Sequence, residues 1–228
     1  MTFSKPVSQM NSVFANRSAN KRPLATSPDR PWPLEIAAAI RDNQQIFENQ
    51  GARKMLIVFG GLPGTGKTTV AQTLARKLAA AYLRIDTLEQ AFLASGVGGK
   101  DVGPAGYLAG YAVAKDNLRL GLTVVADSVN ALHITRSHWR GVALEAGARV
   151  FEIELICSDT AAHRLRVEGR RADISGHNLP TWKSVLERRY DAWESEHLVV
   201  DTATVSVEQA VETITHHVST STPQTGAL

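Results

Sequence analysis

A chain of 228 residues with 43% hydrophobic and 21% charged side chains is long enough for one well-buried α/β domain and has an ordinary globular composition. No apolar run approaches the roughly 20 residues that a membrane-spanning helix needs. The N-terminus lacks a secretory signal pattern, and a single cysteine excludes an internal disulfide. These features predict a cytoplasmic protein that does not span a membrane.

The net charge of +3 is unevenly distributed along the chain. Residues 1–30 contain five lysines and arginines and one aspartate, a net charge of +4, so the rest of the chain carries −1. Because the excess basic charge lies in this segment, the remaining domain is a poor candidate for a nucleic-acid-binding face. Residues 1–30 are rich in Ser, Asn and Pro and show no periodic apolar pattern, which predicts a disordered segment. This segment is a candidate contact for a protein partner.

The predicted elements begin after this segment and alternate between helix and strand. Pro33 opens a stretch with helical spacing of apolar residues, which predicts an N-terminal helix and linker over 31–53. Apolar runs that are typical of strands buried on both faces of a parallel sheet follow at 55–60, 81–86, 122–128, 150–157 and 197–203. Stretches with helical spacing lie at 66–79, 133–147, 158–170, 181–193 and 206–218, and Pro104 opens a further helix. The alternation predicts a doubly wound α/β domain over 54–218 and a disordered tail over 219–228.

The first predicted strand leads into a glycine-rich loop. Gly61-Leu62-Pro63-Gly64-Thr65-Gly66-Lys67-Thr68, followed by Thr69, matches the pattern G-x-x-x-x-G-K-[ST]. The glycines let successive amides face a phosphate, and the helix N-terminus adds partial positive charge. Lys67 is expected to reach the β- and γ-phosphates and the Thr68 hydroxyl to bind Mg²⁺. Residues 61–69 therefore predict a nucleoside triphosphate site, and the lack of an N-K-x-D guanine motif favours ATP.

The second apolar run ends in Arg84-Ile85-Asp86-Thr87. Residues at the carboxyl ends of parallel strands line the ligand crevice of such sheets. Asp86 is therefore a candidate general base that accepts the proton of an attacking hydroxyl. An equally good interpretation is that Asp86 caps the following helix, TLEQAFLA. The residues leave both interpretations open.

The third run ends in Asp127, an arrangement that places a carboxylate near Mg²⁺ in nucleotide-binding domains. ATPase motors usually follow this aspartate with a glutamate that activates water, whereas Ser128 follows it here. The difference favours transfer of the phosphate to another acceptor over hydrolysis.

The densest basic cluster, residues 164–171, contains Arg166 and Arg170. Side chains four residues apart share one face of a helix. We interpret this stretch as a helical lid whose arginines offset charge on the transferring phosphoryl group. A solvated helix face is the alternative.

Together these segments resemble the small P-loop kinases grouped with polynucleotide kinase, zeta toxins, chloramphenicol phosphotransferase, gluconate kinase and adenylylsulfate kinase. Bacterial proteins described as AAA-family ATPases or predicted kinases are also similar. The likeness rests on GLPGTGKTT (61–69), RIDTLEQA (84–91), VVADSVN (124–130) and HRLRVEGR (163–170), and it covers about residues 54–218. It implies a five-stranded parallel sheet in the order 2-3-1-4-5, ATP with Mg²⁺, and transfer to a hydroxyl group. The residues that it implies for catalysis or acceptor binding are Lys67, Asp86, Asp127, Asn130, Arg136, Arg166 and Arg170.

One position departs from the resemblance. Polynucleotide kinases and zeta toxins read D-x-x-R after the second strand, whereas this chain has Asp86-Thr87-Leu88-Glu89. A carboxylate at that point would repel a phosphorylated acceptor. We therefore expect an ATP-dependent kinase whose acceptor is an uncharged or cationic small molecule with a hydroxyl, and not a nucleic acid. A nucleotide-dependent ATPase switch and a polynucleotide or zeta-toxin-type kinase are the alternatives.

Overall fold

The computed structural model describes residues 54–96, 101–176 and 178–221, all within the unit Gln44–Leu228. The disordered segment predicted for 1–30 and the helix and linker predicted for 31–53 lie outside the described residues. So does the predicted tail beyond residue 221. The predicted boundaries of the domain therefore stay predictions.

Five parallel strands form one sheet in the order β2-β3-β1-β4-β5, which confirms the predicted fold class and strand order. Central strand β1, Met55–Gly60, is buried along its whole length because it pairs with a strand on each side and carries mainly apolar residues. The edge strands are only partly buried. The remaining strands are β2 (Ala81–Arg84), β3 (Val124–Asp127), β4 (Arg149–Ile156) and β5 (Leu198–Asp201).

Helices cover both faces of the sheet. They are α1 (Lys67–Lys77), α2 (Ile85–Ser95), α3 (Ala105–Arg119), α4 (His133–Ala146), α5 (Thr160–Glu168), α6 (Trp182–Leu186) and α7 (Val207–Thr220). One hydrophobic cluster, which includes Leu74, Phe151 and Ile214, joins α1 and α7 to one face. A second, which includes Leu118 and Trp139, joins α3 and α4 to the other. Within the described ranges, no helix has the length and apolarity that crossing a membrane requires.

The helix predicted over 181–193 is the main error in the predicted elements, since only Trp182–Leu186 is helical. Beyond α6, Arg136 donates hydrogen bonds to the carbonyl oxygens of Asp191 and Ala192. The Trp193 ring packs so closely on β1 that a Cβ added at Gly60 would lie 2.6 Å from it. These long-range contacts override the local helical spacing.

Candidate active site

The loop between β1 and α1 has the backbone shape of an anion cradle. Gly61, Gly64 and Gly66 have φ values of 129°, 86° and 87°, which strongly favour glycine. At Gly61 a Cβ would also lie 2.1 Å from the carbonyl oxygen of Leu155. Gly66 is the N-cap residue of α1 and has no capping side chain, so the amides of the first turn remain available for an anion.

Lys67 lies at the centre of the site. Its side chain is buried, and Nζ donates a 2.7 Å hydrogen bond to the carbonyl oxygen of Leu62. Burial lowers the pKa of Lys67 to about 8, although the negative charges of Asp127 and Asp86 act in the opposite direction. A phosphate oxygen is a stronger acceptor for an ammonium group than a carbonyl oxygen. Lys67 is thus positioned to exchange its bond within the loop for one to a phosphate.

A cavity of about 290 Å³, here called the donor cavity, lies against the loop and α1. Its lining contains five cationic side chains and one carboxylate, so it suits a polyanion such as a triphosphate. That carboxylate, Asp173, accepts hydrogen bonds of 2.5 and 3.1 Å from Arg84, which hold the pKa of Asp173 below its usual value. The lining residues are Gly64, Gly66, Lys67, Thr68, Thr69, Arg84, Arg166, Arg170, Arg171 and Asp173.

The two predicted lid arginines both line the donor cavity, but they do not share a helix face. Helix α5 ends at Glu168, so Arg170 lies in the segment beyond it, and the interpretation from helical spacing is wrong for Arg170. Arg166 donates hydrogen bonds to the hydroxyl and carbonyl oxygens of Thr202, at 2.8 and 3.0 Å. These bonds tie α5 to the residue that follows β5.

His163 attaches α5 to the phosphate loop, a contact that no sequence pattern had indicated. Its Nε2 lies 2.8 Å from the carbonyl oxygen of Pro63. Because a carbonyl can only accept, Nε2 is the protonated nitrogen. The ring also meets Trp182 of α6 edge to face, with 5.1 Å between ring centroids. The loop, α5 and α6 are therefore mechanically connected.

A second cavity of about 390 Å³, here called the acceptor cavity, shares Lys67, Thr68 and Arg170 with the donor cavity. Its walls come from the end of β3, from α2 and α3, and from the segment around α6. The full lining is Pro63, Lys67, Thr68, Ile85, Asp86, Glu89, Tyr107, Asp127, Ser128, Val129, Arg170, Asn178, Pro180, Ser184 and Arg188. A group bound in one cavity can therefore meet a group bound in the other beside Lys67 and Thr68.

Asp86 lines the acceptor cavity but does not cap a helix. Helix α2 begins at Ile85, Arg84 holds the N-cap position, and no side chain makes a capping hydrogen bond. The capping interpretation of Asp86 is therefore wrong, because the helix starts earlier than its sequence pattern suggests. The side chain is 31% exposed and lies 3.8 Å from the Arg84 guanidinium. Its role as general base stays a prediction.

Asp127 ends β3 with its carboxylate buried beside Thr68 in the same cavity. Oδ2 accepts a 2.7 Å hydrogen bond from the Tyr82 hydroxyl, which leaves the other oxygen for a further partner. A carboxylate and a hydroxyl are the hard oxygen ligands that Mg²⁺ prefers, and Mg²⁺ usually takes few protein ligands and completes its shell with water and phosphates. No cluster of three or more metal-binding side chains occurs in the part of the chain that the structure describes. The residues present fit a Mg²⁺ ion that arrives with a nucleotide.

Arg136 does not contact either cavity, so its predicted role in acceptor binding is corrected. The side chain is 2% exposed, and its guanidinium lies 4.0 Å from the Trp193 ring centroid. Four hydrogen bonds commit it to main-chain carbonyls, which leaves little capacity for a substrate. The acceptors are the carbonyl oxygens of Asn130, Ala131, Asp191 and Ala192.

Asn130, the neighbouring prediction, is also absent from both cavity linings. It is fully buried with a φ of 50°, and its main-chain N–H donates to the Tyr107 hydroxyl at 3.2 Å. The residue shapes the turn after β3 and places Tyr107, which does line the acceptor cavity.

Several side chains around the two cavities were not predicted. Arg84 carried a readable signal, because a charged residue beside Asp86 interrupts an otherwise apolar run. Tyr107, Tyr82 and Arg188 had none, since each reaches the site only through the packing of its helix, strand or loop.

Comparisons with known proteins bear on the fold and the family of this chain. A family profile described as an AAA domain matches residues 56–192, more than half of the chain. No match to a curated protein sequence was found. Three similar solved structures have sequence identities of 19–22% with this chain, so they show the fold alone.

One similar structure is the Mycobacterium tuberculosis APS kinase CysC in complex with AMPPNP and APS, with 21% identity, a TM-score of 0.55 and coverage of 74% of this chain and 99% of that one. A gluconokinase from Sinorhizobium meliloti is 19% identical, with a TM-score of 0.52 and coverage of 73% of this chain and 94% of that one. Chaetomium thermophilum Kti12 in complex with ADP-AlF3 is 22% identical, with a TM-score of 0.54 and coverage of 72% of this chain and 98% of that one. The fold is that of the small P-loop kinases, and the profile match over residues 56–192 shows that this chain belongs to the AAA domain family.

Proposed function

We propose that this protein is an ATP-dependent phosphotransferase that moves the γ-phosphate of ATP to a hydroxyl group of a small molecule, with Mg²⁺. The observation that carries the proposal is the pair of cavities that meet at Lys67, Thr68 and Arg170. One is strongly cationic, and the other carries a candidate base. A hydrolase needs only water as acceptor, so a second cavity of about 390 Å³ favours a second substrate.

In the proposed reaction, ATP lies in the donor cavity with its phosphates on the loop amides and Lys67. The acceptor hydroxyl oxygen forms a bond to the γ-phosphorus, and the bond between that phosphorus and the β–γ bridging oxygen breaks. Asp86 accepts the hydroxyl proton, and the products are ADP and a phosphate ester. Lys67 and Arg170, which line both cavities, offset the charge that spreads over the phosphoryl oxygens.

Thr68 and Asp127 are the residues that would hold Mg²⁺. When bound, the ion would neutralise charge on the β- and γ-phosphates. The Tyr82 hydroxyl, through its 2.7 Å hydrogen bond, fixes the orientation of the Asp127 carboxylate for this task.

The comparisons and the third strand also support a kinase. Two of the similar structures are kinases by name. The residue after Asp127 is a buried serine, so the position at which ATPase motors carry a water-activating glutamate has no acid. An ATPase switch is the main alternative, and the protein Kti12, solved with ADP-AlF3, shares the fold.

The experiment that tests the proposal is a screen of hydroxyl compounds with γ-labelled ATP, followed by the substitution Asp86→Asn. We expect the variant to bind ATP with an unchanged dissociation constant but to transfer phosphate about 10²–10⁴-fold more slowly, since the base is lost. Asp116→Asn on the exposed side of α3 is the matched control. Undiminished transfer by Asp86→Asn would show that Asp86 is not the general base. If no compound accepted label, the proposed kinase activity would be excluded.

A further inference from the structure

Glu89 is a half-buried carboxylate that has no hydrogen-bond or ion-pair partner among the residues that the structure describes. It follows Asp86 by about one turn of α2 and lines the acceptor cavity. Its side chain packs on Gly106 of α3, where an added Cβ would lie 2.3 Å from the Glu89 Cγ. Among the described residues, Glu89 makes neither a hydrogen bond nor an ion pair within 4.0 Å. The fold therefore holds this carboxylate in the cavity without satisfying it.

The surroundings make this position unfavourable for a negative charge. Burial, together with the negative charges of Asp86 and Asp101, raises the pKa of Glu89 to about 7, and Arg188 acts in the opposite direction. The Tyr107 hydroxyl of α3 also lines the acceptor cavity. Residues that cost stability and gain no contact within the protein are characteristic of ligand-binding sites.

Asp86 and Glu89 occupy different positions relative to the phosphates. Asp86 lies 3.8 Å from the guanidinium group of Arg84, which lines the donor cavity, so Asp86 lies on the phosphate side. Side chains three residues apart on a helix have Cβ atoms about 5–6 Å apart. An acceptor with its reacting hydroxyl at Asp86 would thus present a neighbouring group, a few atoms away, to Glu89.

The acceptor cavity also has three cationic side chains, Lys67, Arg170 and Arg188. Arg170 and Arg188 both act to lower the pKa of Lys67, and Arg170 also lines the donor cavity. Arg188 is exposed and makes no ion pair within the described part of the chain. Arg170 is accounted for by the transferring phosphate. Arg188 acts on the pKa values of both Lys67 and Glu89, but among the described residues no cationic group lies within 4.0 Å of the Glu89 carboxylate.

On the basis of the proposed function, we infer that the phosphoryl acceptor is an amino alcohol whose hydroxyl lies at Asp86 and whose protonated amine binds the Glu89 carboxylate. Polar side chains on the remaining walls would serve additional hydroxyl groups of such a molecule. They are Tyr107, Ser128, Asn178 and Ser184.

Two probes of matched shape test the inference without knowledge of the natural acceptor. Tris(hydroxymethyl)aminomethane and pentaerythritol differ only in an ammonium group that replaces one hydroxymethyl group. We would titrate each into the full chain loaded with ADP and Mg²⁺ at pH 7, in a phosphate-free, amine-free buffer, and follow binding by calorimetry. The amine should bind about tenfold more tightly than the neutral probe, because a hydrogen bond to a charged partner is the stronger kind. Its binding should also release protons, since the ammonium ionises Glu89.

Two variants complete the experiment. Glu89→Gln should bind both probes equally, and Glu212→Gln, on the exposed face of α7, should keep the preference for the amine. Equal affinities in the unmodified protein, including no binding of either probe, would overturn the inference. So would a preference that survives Glu89→Gln. If label were transferred to neutral compounds alone, the amino alcohol acceptor would be excluded, but the proposed kinase activity would stand. A preference for the amine probe in a protein that transfers label to no hydroxyl compound would keep the amine site and overturn the kinase.

Discussion

The donor and acceptor cavities differ in how the chain builds them. On one side of the donor cavity lie consecutive residues between a strand and a helix, where glycine conformations and a helix N-terminus create an anion site from local geometry. Its arginines come from more distant segments, at 84 and 166–171. The acceptor cavity collects side chains from positions as distant as Pro63 and Arg188. A short motif therefore specifies the phosphate loop, whereas the arginines around it and the choice of acceptor depend on how helices and loops pack around that motif.

The largest effect should come from the donor side. In Lys67→Ala, phosphate transfer should fall about 10²–10³-fold, because the charge nearest the transferring phosphoryl group is lost. The rise in unfolding temperature that ATP produces should disappear as well. Lys77→Ala, at the exposed end of α1, is the control and should retain both properties. An intact ATP-induced stabilisation in Lys67→Ala would contradict the assignment of the donor cavity.

The next effect distinguishes a structural role of Arg136 from a role in acceptor binding. Arg136→Met should destabilise the protein by about 3 kcal/mol, because the four carbonyls lose their donor inside the protein. The free energy of unfolding in urea measures this. Arg119→Met, at the exposed end of α3, should change it by less than about 0.5 kcal/mol. If Arg136→Met kept its stability but lost acceptor binding, Arg136 would have the role in acceptor binding that the resemblance implies, and not a structural role.

These two residues also show how far the sequence could be used for prediction. Lys67 was predictable because the loop, the preceding strand and the following helix are contiguous, and the alternation of elements likewise predicted the sheet. Arg136 was not, because two of its four acceptors lie 55 and 56 residues further along the chain. The same contacts end α6 early, so a single long-range cluster accounts for both errors. Asp86 was ambiguous for a local reason, since a helix cap and a general base can occupy the same position after a strand.

A smaller effect tests the strain on the acceptor side. The pKa of Glu89 is raised to about 7 from a usual value of 4.5, so the folded protein holds more protons than the unfolded chain between these values, and stability falls as the pH rises through this window. Glu89→Gln should therefore be more stable than the unmodified protein at pH 8, by about 1 kcal/mol after allowance for partial solvent exposure. The gain should shrink toward pH 5. Urea denaturation at both pH values measures it, and a pH-independent difference would show that Glu89 has its usual pKa.

Whether the second cavity receives a second substrate can be decided by measuring ATP turnover in the absence of any acceptor. With the purified full chain, Mg²⁺ and γ-labelled ATP, we expect inorganic phosphate to be released far below the rate of about 1–100 s⁻¹ that is typical of kinases with their substrates. Addition of an accepted hydroxyl compound should move the label to that compound. Acceptor-free hydrolysis at several turnovers per second, unchanged by hydroxyl compounds, would contradict the account and identify the protein as an ATPase.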